Sequence, residues 1–414
     1  MDNSSANTTL EKYPQQIGVG TCIISERARR YVNDVLDSAR LTYGPFSQAF
    51  EKKFAEAHNC KFAVLMNSGT SALRVSIAAL KEKHGWQDGD EILIPAITFI
   101  CDVNVITSNG LTPVFVDVDP LRFSMDPALV ASKLTSRSRA IMPTHLCGLP
   151  ANMEALMKLA CERDLRVIED ACEAAFARYN DKPVGSFGDI GCYSTYQAHI
   201  VATGVGGLAL TNDPETAVLL RSLANHGRDG IYIQIDDDKG KTKQELEQIV
   251  SKRFTFIRPG FSFRVTELEA AIGLAQLEDG MEPDLLRRQQ NAAALTKRLE
   301  RHASILQLPT VPADSSHVFM MYPLVVRPGS GVSRDELVNF LEEYNIETRK
   351  LLPILDQPFI IKRYGDLAAR YPVADSLNKG AFYIGSHSGI GEEEIEYIGK
   401  VFDIFFASRK LATT

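Results

Sequence analysis

Short aliphatic runs alternate with amphipathic helical patterns between residues 60 and 215 of the chain. The runs are rich in Val, Ile, Leu and Phe and too short for helices, so they predict buried strands. The predicted strands are residues 62–66, 91–94, 113–116, 139–143, 166–168, 191–195 and 208–211, and the predicted helices are residues 71–83, 153–163 and 214–225. This alternation predicts an α/β fold whose mostly parallel sheet is covered on both faces. In such sheets, ligands bind at the carboxyl ends of the strands.

The pattern changes near residue 229. Residues 229–259 combine a charged stretch with a short helical pattern, which predicts an inserted excursion or lid. The periodicity then predicts further helices at residues 267–278, 285–301, 334–344 and 392–406 and a strand at residues 322–326. We therefore expect a large domain, residues 1–285, and a small C-terminal α+β domain, residues 286–414.

Length and charge restrict the classes of function. A chain of 414 residues exceeds what one hydrophobic core usually supports, in agreement with two domains. Its 45 Lys and Arg against 52 Asp and Glu give a net charge of −7, and no stretch concentrates basic residues. A nucleic acid partner is therefore not expected.

Targeting and metal-binding signals are also missing from the pattern. No apolar run reaches the roughly 18 residues of a membrane span, so no membrane association is expected. The polar N-terminus lacks the apolar core of a secretory signal, which favours a cytoplasmic location. Seven cysteines are scattered without metal-ligand spacing, so we expect reduced thiols and no metal.

Three segments carry polar groups at predicted strand ends. The first, residues 67–71, follows a strand and begins a helix with two serines, a glycine and a threonine. Free backbone N–H groups and hydroxyls at a helix N-terminus suit a phosphate. Taken alone, the segment is better explained as an ordinary helix cap.

The second segment, residues 169–173, places carboxylates after the strand predicted at residues 166–168. A carboxylate at this edge can keep a heterocyclic nitrogen protonated, which makes a pyridine ring an electron sink. By itself, a helix cap or surface acid explains the segment better. The third segment, residues 193–207, combines hydroxyl residues, the lone His199 and a glycine cluster whose backbone can approach a ligand.

Together these segments resemble the DegT/DnrJ/StrS-type sugar aminotransferases, which are fold-type I pyridoxal-phosphate enzymes. The matching motifs are Gly44-Pro45, Asn67-Ser-Gly-Thr, Pro95-Ala-Ile-Thr-Phe, Glu169-Asp-Ala, Gly188-Asp189, Asn225-His-Gly-Arg, Gly260-Phe-Ser-Phe-Arg-Val-Thr-Glu-Leu-Glu-Ala-Ala and Gln357-Pro. They span nearly the whole chain in order, so chance agreement is negligible. The resemblance implies an aspartate aminotransferase-like fold and a homodimer.

The resemblance also implies how the cofactor is bound. Phe99 would cover its ring, Asp170 would hold the ring nitrogen, and Glu173 would lie beside the 3-hydroxyl. Asn225 of the partner subunit would complete the phosphate site. The remaining implied phosphate contacts are Ser68, Gly69, Thr70 and Ser194.

The chain departs from the aminotransferases at His199, where they carry the lysine that forms a Schiff base with the cofactor. An imidazole cannot form that imine, so pyridoxamine phosphate or pyridoxal phosphate is expected to bind noncovalently. Histidine can still act as a base. The exchange is similar to the branch of nucleotide-linked 4-keto-6-deoxyhexose 3-dehydratases. It implies removal of the C3 hydroxyl of such a sugar, with glutamate restoring the amine form of the cofactor.

The same branch includes members with a [2Fe–2S] cluster on four cysteines. Only Cys172 matches one of those cysteines, so no iron–sulfur cluster is expected here. Arg264 and Arg349 are candidate partners for a substrate phosphate or carboxylate. Surface ion pairs are the commoner use of arginine.

Two alternatives stay open at this point. One is an atypical sugar aminotransferase in which His199 serves as the base. The other is a noncatalytic homologue that binds the cofactor or a sugar nucleotide. Retention of Asp170 and of a titratable His199 favours catalysis.

Overall fold

The computed structural model describes residues 10–229, 240–252 and 254–410. Its strands are β1 Phe62–Met66, β2 Glu91–Pro95, β3 Thr112–Val116, β4 Ser138–Ile141, β5 Arg166–Asp170, β6 Arg178–Tyr179, β7 Lys182–Pro183, β8 Ile190–Ser194, β9 Gly207–Thr211, β10 Leu306–Gln307, β11 Ser315–Ser316, β12 Tyr322–Val326, β13 Arg349–Lys350 and β14 Ala381–Ile384. Its α-helices are α1 Glu26–Ser38, α2 Pro45–Ala57, α3 Gly69–His84, α4 Ile100–Ser108, α5 Pro127–Val130, α6 Met153–Glu162, α7 Pro214–Ala224, α8 Lys243–Lys252, α9 Glu267–Asp279, α10 Glu282–Leu299, α11 Arg334–Glu343, α12 Pro358–Tyr364, α13 Pro372–Gly380 and α14 Glu392–Lys410.

The central sheet has seven strands in the order β1-β9-β8-β5-β4-β2-β3. β9 pairs antiparallel with both β1 and β8, whereas the other pairings are parallel. The strands are almost wholly buried, as expected for a sheet covered on both faces. The carboxyl ends of β1, β2, β4, β5 and β8 therefore lie along one edge.

A second sheet, in the order β10-β12-β14-β13, belongs to the C-terminal part of the chain. α10 and α14 pack against it, and Leu295, Leu324 and Phe402 are among the side chains buried in this second core. Apart from Ile17 near the N-terminus, the buried residues of this core start within α10, close to the predicted domain boundary at residue 285. The boundary itself stays a prediction.

The predicted elements of the central sheet agree with the structure to within about two residues at each end. One difference matters for the site, because β5 continues through Glu169 and Asp170 rather than ending at Ile168. In the predicted insertion, the structure describes α8. Residues 230–239 and 253 lie outside the described residues, so the expected lid stays a prediction. None of the described helices has the length and apolar composition needed to cross a membrane.

A buried carboxylate joins α9 to α2. The N-cap of α2 is Gly44, which offers no side chain to the free N–H groups of the first turn. Glu267, only 1% exposed, supplies the missing acceptor, because its carboxylate accepts hydrogen bonds from Gly44 N at 2.8 Å and Phe46 N at 2.9 Å. It also accepts from the backbone N–H and the hydroxyl of Ser47. These bonds fix the N-terminus of α2 against α9.

We expect Glu267→Ala to lower the free energy of unfolding by roughly 2–4 kcal/mol, because several buried donors lose their acceptor. Urea denaturation followed by circular dichroism measures the change. Glu247→Ala is the control, since Glu247 is exposed on α8 and its removal should alter stability by less than about 0.5 kcal/mol. Equal stability of the two variants would show that Glu267 does not hold α2.

Candidate active site

A cavity of about 450 Å³ opens at the carboxyl edge of the central sheet. Eight of the residues predicted for the site line it: Ser68, Gly69, Thr70, Phe99, Asp170, Glu173, Ser194 and His199. Ten further residues complete the wall: Val19, Cys101, Thr144, Cys172, Tyr196, Ala198, Met320, Met321, Leu352 and Tyr383. The folded chain thus brings the three sequence segments together around one cavity.

The N-terminus of α3 forms one wall of the cavity. Ser68 is the N-cap, and its hydroxyl accepts a hydrogen bond from Ser71 N at 3.1 Å. Gly69 follows, where a Cβ would lie 2.7 Å from Cys172 Sγ and 2.8 Å from Ser194 Cβ. Only glycine therefore allows the helix to begin this close to β8. Backbone N–H groups and the hydroxyls of Ser68 and Thr70 suit an anion such as a phosphate.

β5 separates the two neighbouring acids because side chains alternate along a strand. Asp170 lines the cavity, where its Oδ1 accepts a hydrogen bond from Cys172 N at 3.1 Å. Glu169 is absent from the cavity wall and fully buried. We expected both carboxylates to follow the strand, but Glu169 lies within β5 and faces away from the cavity. Of these two acids, only Asp170 is placed to meet a ligand.

Glu169 holds the loop that follows β7. Its carboxylate accepts hydrogen bonds from Gly185 N at 2.6 Å, Phe187 N at 2.7 Å and Gly188 N at 2.8 Å. The ring of His145 lies 3.2 Å away through Nε2, and its Nδ1 accepts from Ala151 N, so Nε2 carries the proton donated to Glu169. Both groups support the end of β5 from the side opposite the cavity.

His199 presents a base to the cavity. Its Nδ1 lies 3.2 Å from the carbonyl oxygen of Ser194, which can only accept, so Nδ1 carries the proton. Nε2 therefore retains its lone pair. Burial lowers the pKa of His199 to about 4, against a smaller opposing effect of the Ser194 hydrogen bond. The imidazole is consequently neutral at pH 7 and ready to accept a proton.

Glu173 is the second acid in the cavity wall. Its Oε2 accepts a hydrogen bond from Cys147 N at 2.7 Å. Burial, more than the charge of Asp170, raises the pKa of Glu173 to about 7. This carboxyl can therefore both give and take a proton near neutral pH.

A third carboxylate, Asp102 on α4, lies behind the wall and is fully buried. Its Oδ2 accepts hydrogen bonds from the hydroxyls of Thr98 at 2.5 Å and Thr144 at 3.2 Å. Sequence reasoning missed this residue, because a single acid inside an apolar stretch carries no motif. Oxygens of Asp102 and Asp170 and the sulfur of Cys101 all lie within 4.8 Å of one another.

Three predicted residues do not line the cavity of the single chain. Asn225 caps α7, and its Oδ1 is buried without a hydrogen-bond partner. Arg264 is exposed and contacts Ser262, while Arg349 binds Glu347 and the carbonyl of Thr348. Their assigned contacts with cofactor or substrate stay predictions.

Comparison with known proteins identifies the family of this chain. The model of the DegT/DnrJ/EryC1/StrS aminotransferase family matches residues 22–403. The chain belongs to this family.

Relatives within the family include both reactions considered above. The chain is 32% identical to the GDP-perosamine synthase of Caulobacter vibrioides, over 92% of this chain and 96% of that protein. It is 30% identical to the GDP-4-keto-6-deoxy-D-mannose 3-dehydratase of Escherichia coli, over 89% of this chain and 95% of the relative. The family assignment therefore leaves the choice of reaction open.

The solved structures support the expected fold. The E. coli GDP-4-keto-6-deoxy-D-mannose-3-dehydratase with bound hydrated PLP, pyridoxal phosphate, matches with a TM-score of 0.81 and 26% identity, over 94% of this chain and all of that one. The fold class predicted from the sequence, that of the aspartate aminotransferase-like fold-type I enzymes, is confirmed. The expected dependence of the family on pyridoxal phosphate is confirmed as well.

One feature sets this member of the DegT/DnrJ/EryC1/StrS family apart from the aminotransferase pattern. Among the described residues, no lysine lines the cavity. His199 occupies the wall between Ser194 and the glycine turn instead. Within the described part of the chain, no lysine is therefore placed to form a covalent bond with a cofactor in this cavity.

We expect His199 to be neutral, with its proton on Nδ1, from about pH 5.5 to 8, because its pKa is lowered to about 4. ¹⁵N NMR of the imidazole in the cofactor-free protein reports both protonation and tautomer. The His199→Asn variant assigns the resonance. A charged ring at pH 6.5, or a proton on Nε2, would contradict the geometry.

Proposed function

We propose that this protein binds pyridoxamine phosphate noncovalently and removes the C3 hydroxyl of a nucleotide-linked 4-keto-6-deoxyhexose. The observation that carries the proposal is His199 in the cavity wall, with a free Nε2 and no lysine among the described lining residues. The cavity therefore offers a base, while no described lining residue can bind the cofactor covalently. The similarity to the E. coli 3-dehydratase supports the same reaction.

The cavity fits the proposed cofactor on its own geometry. The N-terminus of α3, with Ser68, Gly69 and Thr70, would hold the phosphate together with Ser194. Asp170 would hold the ring nitrogen, and Phe99, which is 51% exposed at the cavity edge, is available to cover the ring. When bound, the cofactor supplies an amine and a ring that accepts the electrons of the broken bond.

The protein's own part in the reaction is proton transfer. His199 Nε2 would accept the proton removed from the cofactor carbon that bears the amine. The negative charge of Asp170 would keep the ring nitrogen protonated, which favours electron flow into the ring. Glu173 lies in the same cavity with a pKa of about 7, so it is suited to protonate a departing oxygen. The apolar side chains of Met320, Met321 and Leu352 would exclude water.

The atoms and electrons of this reaction balance. The C3–O bond of the sugar breaks, the hydroxyl leaves as water, and a C3–H bond forms, so the sugar is reduced. The amine form of the cofactor is oxidised to the aldehyde, whose oxygen comes from water, and its nitrogen leaves as ammonia. The products are a 3-deoxy-4-keto sugar and pyridoxal phosphate. We further propose that glutamate restores the amine form and becomes 2-oxoglutarate.

Three further residues, which do not line the cavity of the single chain, are also assigned roles in the proposed reaction. We propose a homodimer in which Asn225 of the partner subunit completes the phosphate site. The amide N–H group of Asn225 is the group that would donate to the phosphate. Arg264 and Arg349 are proposed to pair with a substrate phosphate or carboxylate.

Sugar amination is the second candidate function. It is favoured by the 32% identity to a GDP-perosamine synthase. In that reaction His199 would again move the proton, but nitrogen would be transferred to C4 and the C3 oxygen would be kept. A protein that only binds cofactor or sugar nucleotide would change neither atom. The products therefore separate the three possibilities.

We expect the protein, with pyridoxamine phosphate and glutamate, to remove the C3 oxygen from one of a panel of nucleotide-linked 4-keto-6-deoxyhexoses. His199→Asn should lower this turnover by a factor of about 10² to 10⁴, because a general base is lost. Mass spectrometry of the products measures the turnover. Binding of pyridoxamine phosphate, measured by equilibrium dialysis, should change by less than about threefold.

The matched control is His84→Asn, since His84 is exposed at the C-terminal end of α3 and lies outside the cavity wall. It should keep full turnover. Gain of nitrogen at C4 would identify an aminotransferase, and an untouched panel would reject the proposed substrate class. Full turnover by His199→Asn would overturn the assignment of His199 as the base.

A further inference from the structure

Two carboxylates lie side by side near the end of β5: Asp170 lines the cavity, and Asp102 lies behind the cavity wall. Asp102 is fully buried and Asp170 is 3% exposed. Their oxygens lie within 4.8 Å of each other. Within the described residues, neither carboxylate forms an ion pair with a lysine or an arginine. Two negative charges this close, out of water and without a cation, repel strongly.

The surroundings of the pair favour one proton between them. The ionisable side chains that face it are Cys101 on α4, Cys172 and Glu173 after β5, Cys192 on β8 and His145 after β4. Burial raises the pKa of the three thiols, which are therefore uncharged at pH 7. Of the described neighbours, only His145 could carry a positive charge, and its ring donates from Nε2 to Glu169 while Nδ1 accepts from Ala151 N, which is the pattern of a neutral ring.

Geometry assigns the proton to Asp102. Its Oδ2 takes the hydroxyl protons of Thr98 and Thr144, whereas its Oδ1 has only the weak thiol contact of Cys101 Sγ at 3.7 Å. Asp170 accepts a hydrogen bond from the backbone N–H of Cys172, and its carboxylate faces the cavity, where a cation can reach it. Burial and the charge of Asp170 raise the pKa of Asp102 well above its usual range. Burial also raises the pKa of Asp170, but hydrogen bonds from Cys172 and Asp102 oppose that rise.

We propose that Asp102 keeps its proton at neutral pH and donates it in a hydrogen bond to Asp170, so that Asp170 presents one fixed negative charge to the cavity. Asp102 is then a positioning residue that acts through Asp170. Its effect on a bound ring nitrogen rests on the proposed function, whereas its protonation does not. Asparagine should replace Asp102 well, because an amide N–H can donate the same hydrogen bond to Asp170.

The first test uses cofactor-free protein labelled with ¹³C at the aspartate carboxyl. NMR at pH 7 should show one protonated aspartic acid in the wild type and none in Asp102→Asn. Asp90→Asn is the control, since Asp90 pairs with Arg139 at 2.8 Å and its removal should leave the protonated signal in place. Ionised carboxylates throughout the wild type, or a protonated signal that survives in Asp102→Asn, would overturn the proposal.

The second test compares variants that keep or remove the donor. At pH 7 the Kd for pyridoxamine phosphate should change by less than about threefold in Asp102→Asn and rise by about tenfold or more in Asp102→Ala. Asp102→Leu gives the same comparison if the alanine variant does not fold. Equal weakening by asparagine and the apolar variants would overturn the proposal. Absence of pyridoxamine phosphate binding to the wild type would reject the proposed function, while the carboxyl spectra would still decide the protonation of Asp102.

Discussion

The alternation of side chains along β5 fixes the chemistry of the whole site. Asp170 faces the cavity because Glu169 faces the other way, and Glu169 can be buried there because three backbone N–H groups of the 185–188 loop bind it. A buried carboxylate without those donors would be costly. The loop, the strand end and the His145 ring therefore form one hydrogen-bonded unit. The orientation of Asp170 relative to the rest of the cavity depends on that unit.

The charges of the site are few and are set by burial. His199 is neutral, because burial lowers its pKa to about 4, and Glu173 has a pKa of about 7 for the same physical reason. The cavity therefore offers one base without a positive charge and one carboxyl that exchanges its proton readily. Such a site suits a reaction in which the ligand contributes the electrons and the protein moves protons. It does not suit a covalent link through an amine, because no lysine lies among the described lining residues.

Much of this arrangement is encoded locally and could be predicted from the sequence. The aliphatic runs predicted the central strands, and the family resemblance of the segments at the carboxyl ends of β1, β5 and β8 predicted Ser68, Asp170 and His199 as parts of one site. Tertiary contacts were harder to predict. Met320, Met321 and Tyr383 reach the cavity from the C-terminal part of the chain, where no spacing pattern connects them with the sheet. Asp102 was missed because a single acid in an apolar helix gives no sequence signal, and the end of β5 was misplaced because its last two residues are acidic.

On this geometry the site uses His199 as a base and binds its cofactor without a covalent link. Borohydride reduction of the protein saturated with pyridoxal phosphate, followed by peptide mapping, tests it most directly. We expect that no peptide from the cavity wall gains the mass of a reduced cofactor and that the cofactor is released on denaturation. A reduced adduct on a lysine of the site would show that the cofactor is held covalently.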